Sequence, residues 1–359
     1  MIQTSLCALP HGITLSCRFA GKKGRPVLMF LHGFPEAAFV WDDLLAHFAR
    51  PENGGFRCIA PNLRGYEQSS APADVTDYRP RHLMQDIAAL IEMECDYDSH
   101  REAMPTQTQP EAFEINSPLY PVPAAELALP GRRRGGPLGG QRTTRSGERG
   151  GNKLACLVAH DWGGAVAWNL AASAPGCMEK LAIINSPHPG TFLRELQHSP
   201  AQQAASAYMN FLIRPDAEAL LAEDDFRRLW EFFSSMGAVD GPHSWLTDAV
   251  KAQYRDIWRA GLSGPLNYYR ASPLRPPRPG PPHHDPAAAA VVIAQDKLQV
   301  NVPTLVIWAM DDTALPPALL DGLEDFVPRM QLHRVEGATH WIVHEQPERV
   351  MGYLQEFLR

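Results

Sequence analysis

Leu154-Ala155-Cys156-Leu157-Val158-Ala159-His160-Asp161-Trp162-Gly163-Gly164 is an apolar run that stops abruptly at a carboxylate and two glycines. Its first seven residues have the unbroken hydrophobicity of a strand covered on both faces. A small-residue helical pattern over residues 163–174 follows at once. Strand and helix backbones crowd each other at so sharp a turn, so small residues are needed two places before and two places after its tip. Ala159 and Gly163 fill those places, which makes Asp161 the tip. This is the elbow of a G-x-S-x-G sequence, with aspartate where serine would stand. The tip also sits at a helix N-terminus, whose free N–H groups and dipole favour an anion. An ordinary helix cap would use the same aspartate, so a nucleophilic role for Asp161 depends on what the rest of the chain supplies.

Other short apolar runs flank this one. Residues 26–32 (PVLMFLH), 56–61, 180–185, 304–308 and 331–335 read as strands, and residues 79–93, 316–326 and 347–358 as helices. Strands alternating with helices predict a mostly parallel sheet with helices on both faces. Two stretches interrupt the alternation. Residues 192–299 are helical in pattern and rich in aromatics, and they lie between two strands that should be sheet neighbours. They read as an inserted helical cap, which divides the core into residues 1–191 and 300–359. Within the cap, residues 273–286 (PLRPPRPGPPHHDP) are too proline-dense for regular structure. Residues 95–152 have no apolar periodicity, and residues 131–151 consist mostly of Gly, Arg, Ser and Thr. That composition predicts a disordered, solvated insertion.

The chain has 359 residues, 45% of them hydrophobic and 20% charged, which suits a globular enzyme with one core and an inserted subdomain. A net charge of −7 gives no reason to expect a nucleic acid or an anionic membrane as partner. Residues 1–19 lack the basic-then-apolar order of a signal peptide, and no apolar run is long enough to span a bilayer. A cytoplasmic location is therefore expected. The six cysteines are scattered without paired spacing, and several lie in apolar runs, so buried free thiols are expected.

Three more segments bear on chemistry. His32-Gly33-Phe34-Pro35 follows the first core strand, and the backbone N–H groups of Phe34 and Trp162 are the natural pair to hold a developing oxyanion. Asp311 and Asp312 follow the strand at residues 304–308, at the edge of a parallel sheet where ligands and catalytic groups gather. Spacing alone hardly separates the two. His340, in the loop before the last helix, is a candidate general base with an orienting carboxylate. His344 belongs with the start of that helix.

Taken together, His32-Gly33-Phe34-Pro35-Glu36, Arg64-Gly65-Tyr66, His160-Asp161-Trp162-Gly163-Gly164, Gly264-Pro265-Leu266-Asn267-Tyr268-Tyr269-Arg270 and Gly337-Ala338-Thr339-His340-Trp341 resemble the epoxide hydrolase branch of the α/β-hydrolase fold. The likeness covers nearly all of the chain except residues 95–152. It implies an α/β-hydrolase fold, a small-molecule epoxide as substrate, a vicinal diol as product and no metal or organic cofactor. It also implies Asp161 as nucleophile, His340 as base and Asp312, rather than Asp311, as its partner. Cap tyrosines that polarise the epoxide oxygen are implied as well, with Tyr269 matching one and Tyr208 the best candidate for the other. Tyr268 is assigned to packing. Ala159 and Ala309 depart from the glycines usual in that family, but both are small. The rival readings are a haloalkane or haloacid dehalogenase with the same nucleophile, and a catalytically silent ligand-binding relative.

Overall fold

The computed structural model describes residues 1–95, 153–239, 241, 244–278 and 287–359. The expected insertion therefore lies outside the described residues from 96 to 152, as does the part of the proline tract from 279 to 286. Eight strands form one sheet: β1 (Gln3–Ala8), β2 (Thr14–Ala20), β3 (Val27–Leu31), β4 (Arg57–Pro61), β5 (Cys156–His160), β6 (Leu181–Ile184), β7 (Thr304–Ala309) and β8 (Met330–Val335). Their order across the sheet is β1-β2-β4-β3-β5-β6-β7-β8. The first two pairings are antiparallel and the other five parallel.

The helices are α1 (Asp42–Phe48), α2 (Pro80–Cys95), α3 (Asp161–Ser173), α4 (Pro189–His198), α5 (Pro200–Ala205), α6 (Tyr208–Leu212), α7 (Ala217–Ser235), α8 (Asp248–Ala260), α9 (Ser263–Ala271), α10 (Ile342–Glu345) and α11 (Pro347–Leu358). Helix α7 is interrupted by non-helical backbone at Glu223, Asp224, Asp225 and Phe226. Every residue of β3 to β7 is buried, as strands covered on both faces must be. Helix α1 packs on α11, and α2 on α3.

β6 and β7 are parallel neighbours, and α4 to α9 all lie between them in the chain. The inserted helices reach the loops at the carboxyl edge of the sheet through buried polar contacts. Trp258 donates to the Pro35 carbonyl at 2.8 Å, Tyr268 to the Arg64 carbonyl at 2.8 Å, and Trp341 to the Phe233 carbonyl at 3.0 Å. Gly65 and Gly264 meet backbone to backbone; a Cβ on Gly65 would stand 2.7 Å from the Gly264 Cα. Arg64 is held in turn by two bonds, of 2.6 and 2.8 Å, to the buried Asp86 carboxylate on α2.

One expectation needs correction. Residues 316–326 do not form an α-helix; they make two short 3-10 turns, Pro317–Leu320 and Leu323–Asp325. Two prolines open the segment, and Gly322, at φ +70°, breaks it in the middle. The N-terminal β1–β2 hairpin went unread because β1 (QTSLCA) is an almost fully exposed edge strand with no apolar run. All six cysteines are free, four of them buried. Among the described residues, no helix is long and apolar enough to cross a membrane.

Candidate active site

Asp161 follows the last residue of β5 and opens α3 with φ +47°, the left-handed backbone of a strained elbow. The crowding anticipated from the sequence is present. A Cβ on Gly163 would stand 2.5 Å from the Leu31 carbonyl oxygen, and one on Gly33 would stand 2.3 Å from the Asp161 side chain. The Phe34 amide donates to Asp161 Oδ1 at 2.8 Å. Trp162 occupies the next position of α3. Ser186, just beyond β6, donates through Oγ to the Asp161 carbonyl at 2.7 Å.

His340 reaches the same point from the loop after β8. Its Nε2 stands 3.9 Å from Asp161 Oδ2, and its Nδ1 bonds Asp312 Oδ2 at 2.7 Å. Asp312 is buried, whereas Asp311 is exposed. Asp312 Oδ1 accepts from the Ala314 and Leu315 amides at 2.8 and 3.0 Å. Burial alone would raise the Asp312 carboxyl, but the His340 charge and hydrogen bonds from His340, Asn185 and Ala314 outweigh it and hold it below the usual range. The same balance acts on His340: burial lowers it, yet Asp312, Asp161 and Glu36 lift it to about 9.

Helices α6 and α9 supply the tyrosines on the opposite side. The Tyr269 ring lies 5.0 Å from Trp162, 5.2 Å from Phe34 and 6.2 Å from Tyr208, measured between centroids. Burial, with the Asp161 carboxylate adding to it, pushes both phenols above their ordinary range, so both keep their protons. Tyr268 also lines the cavity, its ring 5.6 Å from Trp162 between centroids, but its hydroxyl is committed to the Arg64 carbonyl. A cavity, partly open to solvent, is lined by Asp161, Trp162, Tyr208 and mostly apolar neighbours such as Phe192, Met209 and Leu274. A mainly apolar lining around a few polar groups is the character of a small-molecule site.

Sequence reasoning missed several groups that support this arrangement. Asn185, just past β6 with φ +39°, donates to Asp312 Oδ2 at 2.7 Å and accepts from the Ala309 amide at 2.7 Å. Its place at a strand end of the carboxyl edge was the available signal. Glu36, fully buried, accepts from Tyr254 of α8 at 2.8 Å and bonds His344 at 2.7 Å. Its other oxygen stands 3.3 Å from His160, whose Nε2 contacts the His340 carbonyl at 3.0 Å. Burial would raise Glu36, but the charges and hydrogen bonds of His344 and His160 hold it well below the carboxylate range. No local pattern links Tyr254 to Glu36, which lie 218 residues apart.

A protein-family model described as the alpha/beta hydrolase family matches residues 28–352. The chain is 30% identical over 352 residues to an AB hydrolase superfamily protein of Bacillus subtilis, YfhM, covering 97% of this chain and 96% of that one. It is 26% identical over 349 residues to epoxide hydrolase 4 of Mus musculus, covering 95% of this chain and 75% of that one. Among solved structures, one described as a novel epoxide hydrolase from metagenomes of hot environments superposes with a TM-score of 0.72 at 31% identity, covering 100% and 99% of the two chains. An inhibitor-bound epoxide hydrolase of Bacillus megaterium superposes with a TM-score of 0.70 at 25% identity, covering 99% of each.

Proposed function

The chain belongs to the α/β-hydrolase family, and we propose that this hydrolase converts a small-molecule epoxide to a vicinal diol through an ester on Asp161. The observation that carries the reading is one carboxylate faced by three kinds of group. The Phe34 amide holds Oδ1, His340 stands near Oδ2, and two protonated phenols share the wall opposite. Residues 192–299 act as the cap that brings the phenols in.

In the first step Asp161 Oδ2 attacks a saturated ring carbon. A carboxylate suits that attack and leaves a hydrolysable ester. As the C–O bond of the ring breaks, Tyr269 or Tyr208 gives its proton to the departing oxygen. In the second step His340 takes a proton from water, and the resulting hydroxide adds to the ester carbon, Asp161 Cγ. The charge that develops on Oδ1 is met by the Phe34 and Trp162 N–H groups. Collapse expels the diol oxygen, which takes the proton back from His340, and the proton left on the Asp161 carboxyl returns to the tyrosine that protonated the ring oxygen.

The two steps ask opposite things of His340, and the electrostatics answer both. With its midpoint at about 9, the imidazole is protonated in the resting enzyme at neutral pH. Ester formation cancels the Asp161 charge, one of the groups that raise it, so the His340 midpoint falls and more of the ring is neutral, able to accept a proton, when a base is required. Asp312 remains to fix the ring and stabilise the imidazolium.

The test is to trap the ester. His340→Gln should open the ring and stall, adding one substrate mass to the peptide that contains Asp161. In a single turnover of wild type in heavy-oxygen water, label should enter the Asp161 carboxylate and not the diol. First-turnover label in the diol, with no adduct in the variant, refutes the ester route. A halide-release assay run alongside tests the dehalogenase alternative.

A further inference from the structure

The two oxygens of Asp312 are divided between two sets of donors. Oδ2 takes the His340 ring and the Asn185 side chain, and Oδ1 takes the Ala314 and Leu315 amides. The Leu315 N–H and the Ala314 carbonyl belong to one planar peptide unit, so fixing the direction of one fixes the other. That carbonyl accepts a buried hydrogen bond of 3.1 Å from Gln202 Nε2 of α5. A continuous chain of hydrogen bonds therefore runs from an inserted helix through the 314–315 peptide to Asp312, and from Asp312 to His340 Nδ1.

Gln202 is 2% exposed. Its second N–H donates to Ser206 Oγ at 2.9 Å, which anchors the amide to the end of its own helix. A carbonyl can only accept, so the Ala314 contact decides which end of the amide is nitrogen. The opposite end shows what the arrangement costs: Oε1 is buried with no hydrogen-bond partner among the described residues. An apolar side chain of the same length would avoid that cost, so packing alone does not account for an amide here. What the amide adds is a donor to the peptide that holds Asp312. Polarising the carbonyl also strengthens the N–H at the other end of the same peptide, because hydrogen bonds in a chain reinforce one another.

The charged and titratable groups that face His340 are Asp312 at 2.7 Å, Asp161 at 3.9 Å, the His160 ring at 4.8 Å between centroids and, through its field, Glu36. Gln202 adds no charge to this set, so it can act on His340 only through geometry. We propose that Gln202 is a positioning residue that orients the 314–315 peptide around Asp312 and so keeps His340 aligned to activate water. The reaction step it serves rests on the reading given above, whereas the hydrogen-bond chain does not.

Gln202→Met keeps the length of the side chain and removes both donors. Two readouts are followed. In proton NMR, the His340 Nδ1–H signal, identified by its loss in His340→Gln, should move upfield and broaden in the variant as the bond to Asp312 lengthens. In single turnover with an epoxide that wild type hydrolyses, decay of the ester should slow about tenfold, the effect of one net hydrogen bond, while ring opening keeps its wild-type rate. Gln202→Ala, which leaves room for water beside the carbonyl, tests the same chain should the methionine variant fail to fold, and it must move both readouts in the same direction. Thr313→Ala is the control. Thr313 also ties this loop to an inserted helix, donating to the Ser235 carbonyl at 3.0 Å, but at an exposed site outside the chain. It should change neither readout. An unmoved Nδ1–H signal in a folded Gln202 variant overturns the proposal, as does equal slowing of both steps or an equal effect of Thr313→Ala. If no epoxide reacts with wild type although the signal moves in the variant, the epoxide reading fails and the positioning of His340 by Gln202 stands. If wild type hydrolyses epoxides and the signal does not move, the reverse holds.

Discussion

Replacing Asp161 by asparagine removes a charge while keeping the side chain's shape, and so imitates the electrostatics of the ester without any substrate. If His340 is tuned by that charge, its midpoint must fall in Asp161→Asn. The size of the fall follows from geometry. Asp161 Oδ2 and His340 Nε2 are 3.9 Å apart. Two unit charges at about that separation interact by about 4 kcal/mol at an effective dielectric of about 20. One pKa unit corresponds to about 1.4 kcal/mol, so complete loss of the interaction lowers His340 by about three units. Asp161 is 16% exposed, and water screens part of the field, so a drop of about one to three units from about 9 is expected. Asp312 and Glu36 still raise His340 in the variant and keep the fall within that range. The measurement is a nitrogen-15 NMR titration of labelled imidazoles, with the His340 signal among the 14 histidines identified by its loss in His340→Gln. A midpoint that stays where it is in wild type, or rises, refutes the idea that ester formation switches His340 from acid to base.

Tyr269→Phe and Tyr208→Phe should each slow ring opening about ten- to a hundredfold while leaving hydrolysis of a preformed ester unchanged, read by stopped-flow transients. Unaltered opening in the double variant would remove the phenols from the reaction. Because His340 is raised from 6.5 to about 9 on folding, its contribution to stability is complete below pH 6.5 and lost as pH rises through about 9. That contribution is worth up to roughly 3 kcal/mol, so urea midpoints should fall over this window in wild type and much less in His340→Gln. Asn185→Leu deprives the buried Asp312 of a donor and should destabilise the fold by about 1–3 kcal/mol in urea unfolding. It should also shift the pH profile of ester hydrolysis, which a purely structural role would leave in place.

The division between what could and could not be read from the chain follows how far each feature reaches along it. The elbow at Asp161 is a local problem of crowding. It must be solved by neighbours at fixed offsets, so Ala159, Gly163 and Gly164 announce it within a few residues. Asp312 follows the buried strand β7 and His340 the edge strand β8, and their order and position could be anticipated; what separates Asp312 from Asp311 is which of two adjacent carboxyls turns inward, and spacing does not encode that. The hairpin of β1 and β2 was invisible for the opposite reason. An exposed edge strand buries too little to impose an apolar pattern, so QTSLCA resembles a loop. Residues 316–326 misled because an apolar spacing suited to a helix also suits two 3-10 turns, and the choice falls to Pro316, Pro317 and Gly322. Glu36 and His160 stand in motifs that the sequence shows, but their association with Tyr254 and His344 leaves no sequence trace, because the four come from the loop after β3, the end of β5, helix α8 and the start of the C-terminal helices. What assembles them is the cost of burying a carboxylate, which can be met only by donors that the fold brings from far away. The residues that carry the proposed chemistry thus advertise themselves through backbone geometry, whereas the groups that set their charge become visible only once the sheet has gathered its loops at one edge.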